Sequence, residues 1–433
     1  MPGDKAGRIT RRDSIKALGA GTVAVSLAGC TDLLASDDDD FGDTLRIGVL
    51  APEPDEDPVG ASIVGGAEIA AQELRDAGGV LGAEEVEVFV EDTEGTGTGG
   101  ADAYNDLMLD DNVDFTVGNF ASEALIGVID EVPDHEKLHL VAGASTTEMN
   151  EAIKDDYDRH KYMFRVGPFN NPTLGQTVVD FAAEFYQDEL GWDRTAVLYE
   201  EAEWTGLTVE RIEDQLGDHG FEVVDSIGYS LGTEDFSPIF DDLQGMDIDG
   251  VTTVIAHTGV PAVLQWSGGQ YDFGFGGIHV PSQFPFMWQE LGENIEYAWT
   301  VNFAAPGANV TERTGPFLDA YTEEFGMPPV YTGPLAYDAV HLFAEYAEHV
   351  GSADADDMVA AIEGNELDLT TSGYETFEVH DRDHEFPHDV VYDKDGWMAG
   401  TSAPIYNQWQ DGTLETIQPG AHATAEYQQP HWI

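Results

Sequence analysis

The chain has 433 residues and carries 84 acidic against 17 basic side chains, which gives a formal net charge of −67 at pH 7. This charge argues against nucleic acid and anionic lipid as partners, because both are bound through basic patches. A hydrophobic content of 42% with 10% aromatic residues also excludes an acidic disordered chain and predicts a folded core.

The first 29 residues are predicted to be an export signal of the twin-arginine type. Arg11 and Arg12 precede an apolar run at 17–27 that is too short to span a bilayer. The run ends in small residues before Cys30, the only cysteine of the chain, in a pattern that resembles the lipobox of secreted lipoproteins. We therefore expect a lipid anchor on Cys30 and an acidic tether over 30–44; the alternative is an incidental cysteine in a disordered leader.

From residue 45, short apolar runs typical of buried strands alternate with helical patterns. This alternation predicts an α/β protein in which helices cover parallel sheets, and the length suits two lobes. Beyond the leader, no run of about 18 apolar residues predicts a membrane span. The predicted strands are 45–50, 86–90, 115–118, 138–142, 195–199, 221–224 and 251–256, and the predicted helices are 61–77, 101–109, 177–190, 208–216 and one from Pro261.

A series of short motifs runs through this body in a fixed order. The motifs are 45–52 (LRIGVLAP), 118–122 (GNFAS), 143–147 (GASTT), Phe164-Arg165, 196–199 (AVLY) and 333–340 (GPLAYDAV). This series resembles the branched-chain amino acid and amide binding proteins of ABC transporters, which are Leu/Ile/Val-binding-protein-like. The resemblance covers about residues 45–418 and depends on the order and spacing of the motifs rather than on any one of them.

The resemblance implies a type I periplasmic-binding-protein fold, with two Rossmann-like lobes joined by three hinge crossovers and the ligand in the cleft between them. Lobe 1 would comprise 45–166 plus 304–383, and lobe 2 would comprise 167–303 plus 384–433. Physical reasoning agrees, because open α/β sheets bind ligands beyond the carboxyl ends of their strands, where helix N-termini offer unpaired N–H groups.

Three candidate ligand contacts come from the first lobe. Ser122, Ser145 and Thr146 match the loops that hold the ligand's carboxylate or amide oxygen in the family. Each loop follows a predicted strand and precedes a helical pattern, which supplies neutral donors and a helix dipole. The alternative for each residue is a simple helix N-cap, and one residue can serve both purposes.

Three more candidates come from the second lobe. Trp204 falls where the family often has an aromatic residue that closes over the ligand, although it could be an ordinary packing tryptophan. Thr258 and Gln283 follow later strands of this lobe. Several amino acid binders have an acid at the position of Gln283, for the ligand's ammonium group. The amide therefore argues for an amide, a urea-like solute or a small carboxylate, unless Glu201 or Glu203 replaces the acid.

Two further patterns could carry chemistry. The run 95–100 (GTGTGG) matches a dinucleotide fingerprint, but the acidic residues around it would repel a pyrophosphate. His380, His384 and His388 are spaced by four and could ligate a metal, yet Pro387 argues against a helix there. We expect a variable loop at the first position and a solvated loop at the second.

Together these features predict a binding protein and not an enzyme, since the chain has no P-loop, nucleophile elbow or zinc-protease motif. We expect a monomeric, lipid-anchored receptor on the extracellular face of the cytoplasmic membrane. It would bind a small amino acid, amide or urea-like solute, close its hinge and deliver the solute to ABC permease and ATPase subunits, without cofactor or metal.

The same fold leaves a second function open. The protein could be the ligand-binding subunit of a sensory or chemotaxis system, or a structural surface lipoprotein. The excess of carboxylates and the shortage of lysine resemble proteins of extreme halophiles, so the sequence suggests a haloarchaeal lipoprotein whose charge is an adaptation to concentrated salt.

Overall fold

The computed structural model describes residues 41–433, so the export signal, Cys30 and the tether up to residue 40 lie outside the described residues. The strands are β1 (Thr44–Ala51), β2 (Glu85–Asp92), β3 (Phe115–Gly118), β4 (His139–Ala142), β5 (Met163–Gly167), β6 (Arg194–Glu200), β7 (Glu222–Tyr229), β8 (Gly250–Ile255), β9 (Gly274–His279), β10 (Trp299–Asn302), β11 (Ile405–Gln410) and β12 (Thr413–Gln418).

Helices follow most of these strands. They are α1 (Pro58–Ala77), α2 (Gly97–Asp106), α3 (Ser122–Ile129), α4 (Val132–His135), α5 (Glu148–Asp155), α6 (Tyr157–His160), α7 (Asn171–Phe185), α8 (Thr205–Leu216), α9 (Ser237–Gln244), α10 (Val260–Gly269), α11 (Met287–Leu291), α12 (Thr314–Phe325), α13 (Thr332–Val350), α14 (Ala355–Glu363) and α15 (Lys394–Ala399). None of the helices within 41–433 is long and apolar enough to cross a membrane.

The strands form two sheets, and each sheet is the centre of one lobe. The first sheet has the order β2-β1-β3-β4-β5 and is parallel throughout. The second has the order β12-β11-β10-β9-β8-β6-β7, in which β6 to β10 are parallel and β11 and β12 form an antiparallel edge. The α/β fold with two lobes that the sequence predicts is therefore confirmed.

The chain passes between the lobes three times. It leaves the first sheet after β5, returns after β10 to place α12, α13 and α14 in the first lobe, and crosses again before β11. Helix α13 packs on α1 and on the first sheet, where Phe343 stacks on Phe115 with ring centroids 3.6 Å apart. The limits of the two lobes at residues 166, 303 and 383 stay a prediction.

Helix α1 shows how local sequence sets an element. Asp57 accepts a hydrogen bond from the N–H of Val59, Pro58 begins the helix, and Gly78 ends it in the left-handed conformation. Gly66 allows α13 to come close, because a Cβ there would lie 2.1 Å from the carbonyl oxygen of Gly333. The helix pair that covers the first sheet therefore depends on a missing side chain.

Most predicted elements agree with the structure to within a few residues. The strand predicted at 115–118 has these bounds, and the helix predicted from residue 177 begins earlier, at Asn171, because Asn170 caps it by accepting from the N–H of Thr173. The strand predicted at 221–224 continues to Tyr229. Residues 390–392 (VVY), an apolar run typical of a strand, form one isolated bridge instead, between Val390 and Val379.

Candidate functional site

A pocket lies where the carboxyl ends of the two sheets face each other. We call it the interlobe pocket. Its wall combines both lobes, with Ser122 and Ser145 from the first and Trp204 and His257 from the second. Its apolar lining residues include Phe120, Leu174, Ile278, Val280, Val301 and Phe303. This is the edge at which open α/β sheets bind ligands.

The first-lobe candidates form one connected loop structure. Ser122 is the first residue of α3, and its hydroxyl oxygen accepts from the N–H of Thr146 at 3.2 Å and of Ser145 at 3.4 Å. Thr146 is fully buried and is not part of the pocket wall. Its hydroxyl oxygen accepts from the N–H of Glu148 at the start of α5. This contact is of the helix-capping kind that was the alternative to ligand binding. A ligand-binding role of the three residues stays a prediction.

The second-lobe candidates are occupied by protein contacts. The indole N–H of Trp204 donates to Glu200 at 3.1 Å, so only the ring is left for the pocket. Thr258 lies outside the pocket wall, with its N–H and hydroxyl both donating to Glu200 at 3.2 Å. Their role as ligand contacts, like that of Gln283, stays a prediction.

Gln283 lines the pocket but also links the lobes. Its amide N–H donates to the carbonyl of Val301 on β10 at 2.8 Å, and its amide oxygen accepts from the N–H of Tyr331 at 3.1 Å. Tyr331 precedes α13 of the first lobe, and its hydroxyl donates to the carbonyl of Gly143 at 3.0 Å. The amide therefore stabilises the hinge, with one N–H left for a ligand.

A buried carboxylate beside the pocket residues Trp204 and His257 was not among the predicted site residues. Glu200, the last residue of β6, has a fully buried side chain whose oxygens accept from Nδ1 of His257 at 2.6 Å and from the backbone N–H of the same residue. Burial alone would raise the pKa of Glu200, but the hydrogen bond and charge of His257 outweigh it and lower that pKa. The sequence did contain a signal for the burial of Glu200. Alternate residues of a strand point to the same face, and Glu200 shares its face with the buried Ala196 and Leu198.

Of the two acids offered as replacements at the cleft, Glu203 reaches the other lobe. Its carboxylate accepts from the hydroxyl of Thr146 at 2.9 Å, and its N–H donates to a carboxylate oxygen of Glu123 at 3.2 Å. Burial raises the pKa of Glu203. Glu201 is exposed. The lobes thus touch through Glu203, which precedes the pocket residue Trp204 in sequence.

A buried ion pair supports the first-lobe loop from behind. Nε of Arg165 on β5 donates to Asp389 at 2.8 Å, and both side chains are buried. The guanidinium also donates to the carbonyls of Ala144 and, at 2.6 Å, Thr146. Asn170, the cap of α7, donates to the other oxygen of Asp389 at 2.5 Å. Arg165 therefore fixes the backbone that presents Ser145 to the pocket.

The expectation of a loop at 95–100 is wrong for residues 97–100, which begin α2 and have a packing role. Thr96 caps α2, and a Cβ at Gly100 would lie 2.3 Å from the carbonyl oxygen of Ala124 on α3. The close contact of two helices explains the small residues without a bound nucleotide.

The prediction of a solvated loop is wrong at His388. This histidine is fully buried, stacks on Phe164 with ring centroids 4.1 Å apart, and pairs through Nε2 with Glu363 at 2.7 Å. The segment packs beside β5, and this strand covers the His388 ring. The polar residues next to His388 in sequence had suggested an exposed ring. Within 41–433, no group of three or more histidine, cysteine or acidic side chains is arranged to hold a metal ion.

Two α/β lobes over a pocket at their strand ends define the class of two-lobed solute-binding proteins. The sequence profile of the family described as Periplasmic binding protein matches residues 44–392, and the chain belongs to that family. The family and the structures similar to this chain are solute-binding proteins and not enzymes.

Among curated proteins, the chain is 26% identical over 380 residues to Leu/Ile/Val-binding protein homolog 7 of Brucella suis, covering 84% of this chain and 88% of that one. Two solved structures share the fold. LivJ of Streptococcus pneumoniae, a branched-chain amino acid transporter substrate binding protein solved with isoleucine, is 18% identical, with 87% and 100% coverage and a TM-score of 0.70. An ABC transporter solute binding protein of Rhodopseudomonas palustris, in complex with 3,4-dihydroxybenzoic acid, is 19% identical, with 86% and 95% coverage and a TM-score of 0.69.

Proposed function

We propose that this protein is the extracytoplasmic receptor of an ABC importer and binds a small solute with an apolar body in the interlobe pocket. The observation that carries the proposal is the pocket itself, in which hydroxyl donors of Ser122 and Ser145 lie among aromatic and aliphatic side chains of both lobes. Structures of the same fold were solved with isoleucine and with 3,4-dihydroxybenzoic acid, which both carry a carboxylate on a hydrocarbon skeleton. Urea and the smallest amides would leave this apolar wall unfilled.

Closure of the hinge would signal that the solute is bound. The contacts of Glu203 with Thr146 and Glu123 join the lobes directly, next in sequence to the pocket residues Trp204, Ser145 and Ser122. A solute that contacts both lobes stabilises the closed form by its differential affinity for that form. The permease would then recognise the closed protein, and hinge opening at the permease would release the solute.

The proposal is tested by calorimetry in molar salt with leucine, isoleucine, benzoate, 3,4-dihydroxybenzoate, acetamide and urea. We expect at least one apolar-bodied acid to bind and to reduce the radius of gyration in X-ray scattering. The variant Ser122→Ala should weaken that binding about tenfold, because one hydrogen bond to a charged group is lost. Ser230→Ala, at an exposed turn, is the matched control and should bind normally. Failure of every solute to bind would contradict the proposal.

We further propose that the protein is exported through the signal at 1–29 and held at the membrane by a lipid on Cys30, as a monomer. One lipid-anchored cysteine would keep the receptor near its permease and raise the local concentration. The variant Cys30→Ala should move the protein from the membrane fraction to the medium without changing solute affinity. A Cys30→Ala protein that stays in the membrane fraction after a salt wash would exclude this anchor.

A further inference from the structure

The pair of Glu200 and His257 gives the pocket a fixed imidazole. The Glu200 side chain is 0% exposed and that of His257 is 23% exposed, so the carboxylate lies behind and the ring faces forward. A carboxylate can only accept a hydrogen bond, so Nδ1 of His257 carries a proton in the 2.6 Å contact. The backbone N–H of the same residue also donates to Glu200, at 3.0 Å and 3.1 Å to its two oxygens, which fixes the ring further.

The opposite edge of this imidazole is available to a solute. Glu200 uses Nδ1, which leaves Nε2, and His257 is part of the pocket wall. Phe120 of the first lobe covers one side of the ring, with centroids 4.9 Å apart. A solute in the pocket can therefore meet Nε2 without displacing the Glu200 contact.

The surrounding charges favour the protonated ring. Burial lowers the pKa of His257, but the hydrogen bond and charge of Glu200 on β6, with the charges of Glu123 on α3 and Asp57 at the cap of α1, outweigh it and raise that pKa. His279 on β9 contributes no charge near neutral pH, because burial lowers its pKa to about 4. Among the described residues that line the pocket there is no lysine or arginine, so His257 is their candidate cation.

The pocket wall offers little to an ammonium group. Its lining residues include no aspartate or glutamate. The nearby Glu203 accepts a hydrogen bond from Thr146 with one oxygen and has its other oxygen buried without a partner, and burial raises the pKa of this carboxyl, which favours its neutral form. An ammonium group placed along the lining residues would therefore meet apolar side chains or the imidazolium, which is unfavourable. A solute that has a carboxylate and no ammonium group would instead meet the opposite charge of the His257 imidazolium.

We propose that His257, oriented by Glu200, binds the carboxylate of an organic acid that has an apolar body and no ammonium group. Aromatic monocarboxylates and branched aliphatic oxo acids are the solutes of this description that the apolar wall fits. The inference rests on the proposed function, which it deepens by assigning the solute class.

The test compares pairs of solutes that share a shape and differ in charge. Benzoate is compared with benzamide, and 4-methyl-2-oxopentanoate with leucine, by calorimetry in molar salt at pH 6. We expect each acid to bind at least tenfold more tightly than its partner compound. The variant His257→Gln should remove that preference, and His341→Gln should not, because His341 makes a similar 3.0 Å contact with Glu73 on the outer side of the first lobe.

The pH profile separates a charge role from a packing role. Affinity for the acids should be full below the pKa of His257 and fall about tenfold for each pH unit above it, since the bound form needs the proton. Glu200→Gln keeps the shape but lowers the pKa of His257, so the fall should begin at a lower pH. Thermal unfolding of each variant shows whether it is folded.

Several results would overturn the inference. They are equal binding of benzoate and benzamide, preference for leucine over its oxo acid, full benzoate affinity in His257→Gln, and a flat pH profile. In each case the protein still binds a solute, so the receptor function stands. If none of the four compounds binds, the inference also fails, and the wider panel described above decides whether the receptor function fails with it.

Discussion

The variant Asp389→Ala is expected to lower the free energy of unfolding by about 3–5 kcal/mol, because it leaves the charge of Arg165 buried without a partner. The two side chains are 0% and 2% exposed, so water cannot replace the lost carboxylate. Asn170 loses its partner as well. Calorimetric thermal unfolding in molar salt measures the effect, and a loss of less than about 1 kcal/mol would contradict it.

Two further variants show that the effect comes from the buried charge. Glu345→Ala breaks an ion pair with Arg313 whose side chains are 35% and 29% exposed, and it should cost no more than about 1 kcal/mol. The double variant Arg165→Met with Asp389→Leu removes both charges and should recover part of the lost stability. It still removes the donors to the carbonyls of Ala144 and Thr146, so its solute affinity should be lower than that of the unmodified protein.

The fold could be predicted from sequence because its strands are short, buried and parallel. Such strands are buried on both faces and therefore form short, largely apolar runs, as at β3 (FTVG), where all four residues are buried. The order of these runs then determines an α/β topology. Element ends were less predictable, because they depend on caps such as that of Asn170, which begins α7 six residues before the predicted start.

The pocket position followed from the same logic, but the contacts within it did not. Residues after strand ends were expected at the cleft, and Ser122, Ser145, Trp204 and Gln283 do line the pocket. The partners of Glu200 and Arg165 are 57 and 224 residues away in sequence, so no local pattern indicates them. His388 was misjudged for the same reason, since its burial comes from β5.

The stability of the protein is expected to fall steeply when salt is reduced from about 1 M or more to about 0.1 M, where the Debye length grows from roughly 3 Å to 10 Å. A net charge of −67 places carboxylates near one another over the whole surface, and their repulsion destabilises the folded chain. The melting temperature across a salt series measures this dependence. Equal melting temperatures at both ends would contradict it.

Lowering the pH from 7 to 5 at low salt should restore part of the stability. Repulsion and burial raise the pKa of carboxylates in the folded state, so this state binds more protons than the unfolded chain and stability falls as the pH rises. Burial raises the pKa of Asp338 to about 6, and raises that of Glu203 and Asp114 too. Below pH 5 stability should fall again as the pH is lowered. Paired acids such as Glu363 have a lowered pKa in the folded state, so their protonation at low pH removes contacts that stabilise the fold.

Sucrose separates screening from a general effect of cosolutes. Excluded osmolytes stabilise folded proteins without screening charge. At low salt, sucrose should therefore raise the melting temperature at pH 7 and pH 5 alike and keep the difference between them. Sodium chloride should remove that difference, because it screens the carboxylates that the lower pH neutralises. If sucrose removed it as well, repulsion between the carboxylates would not be the cause of the salt requirement.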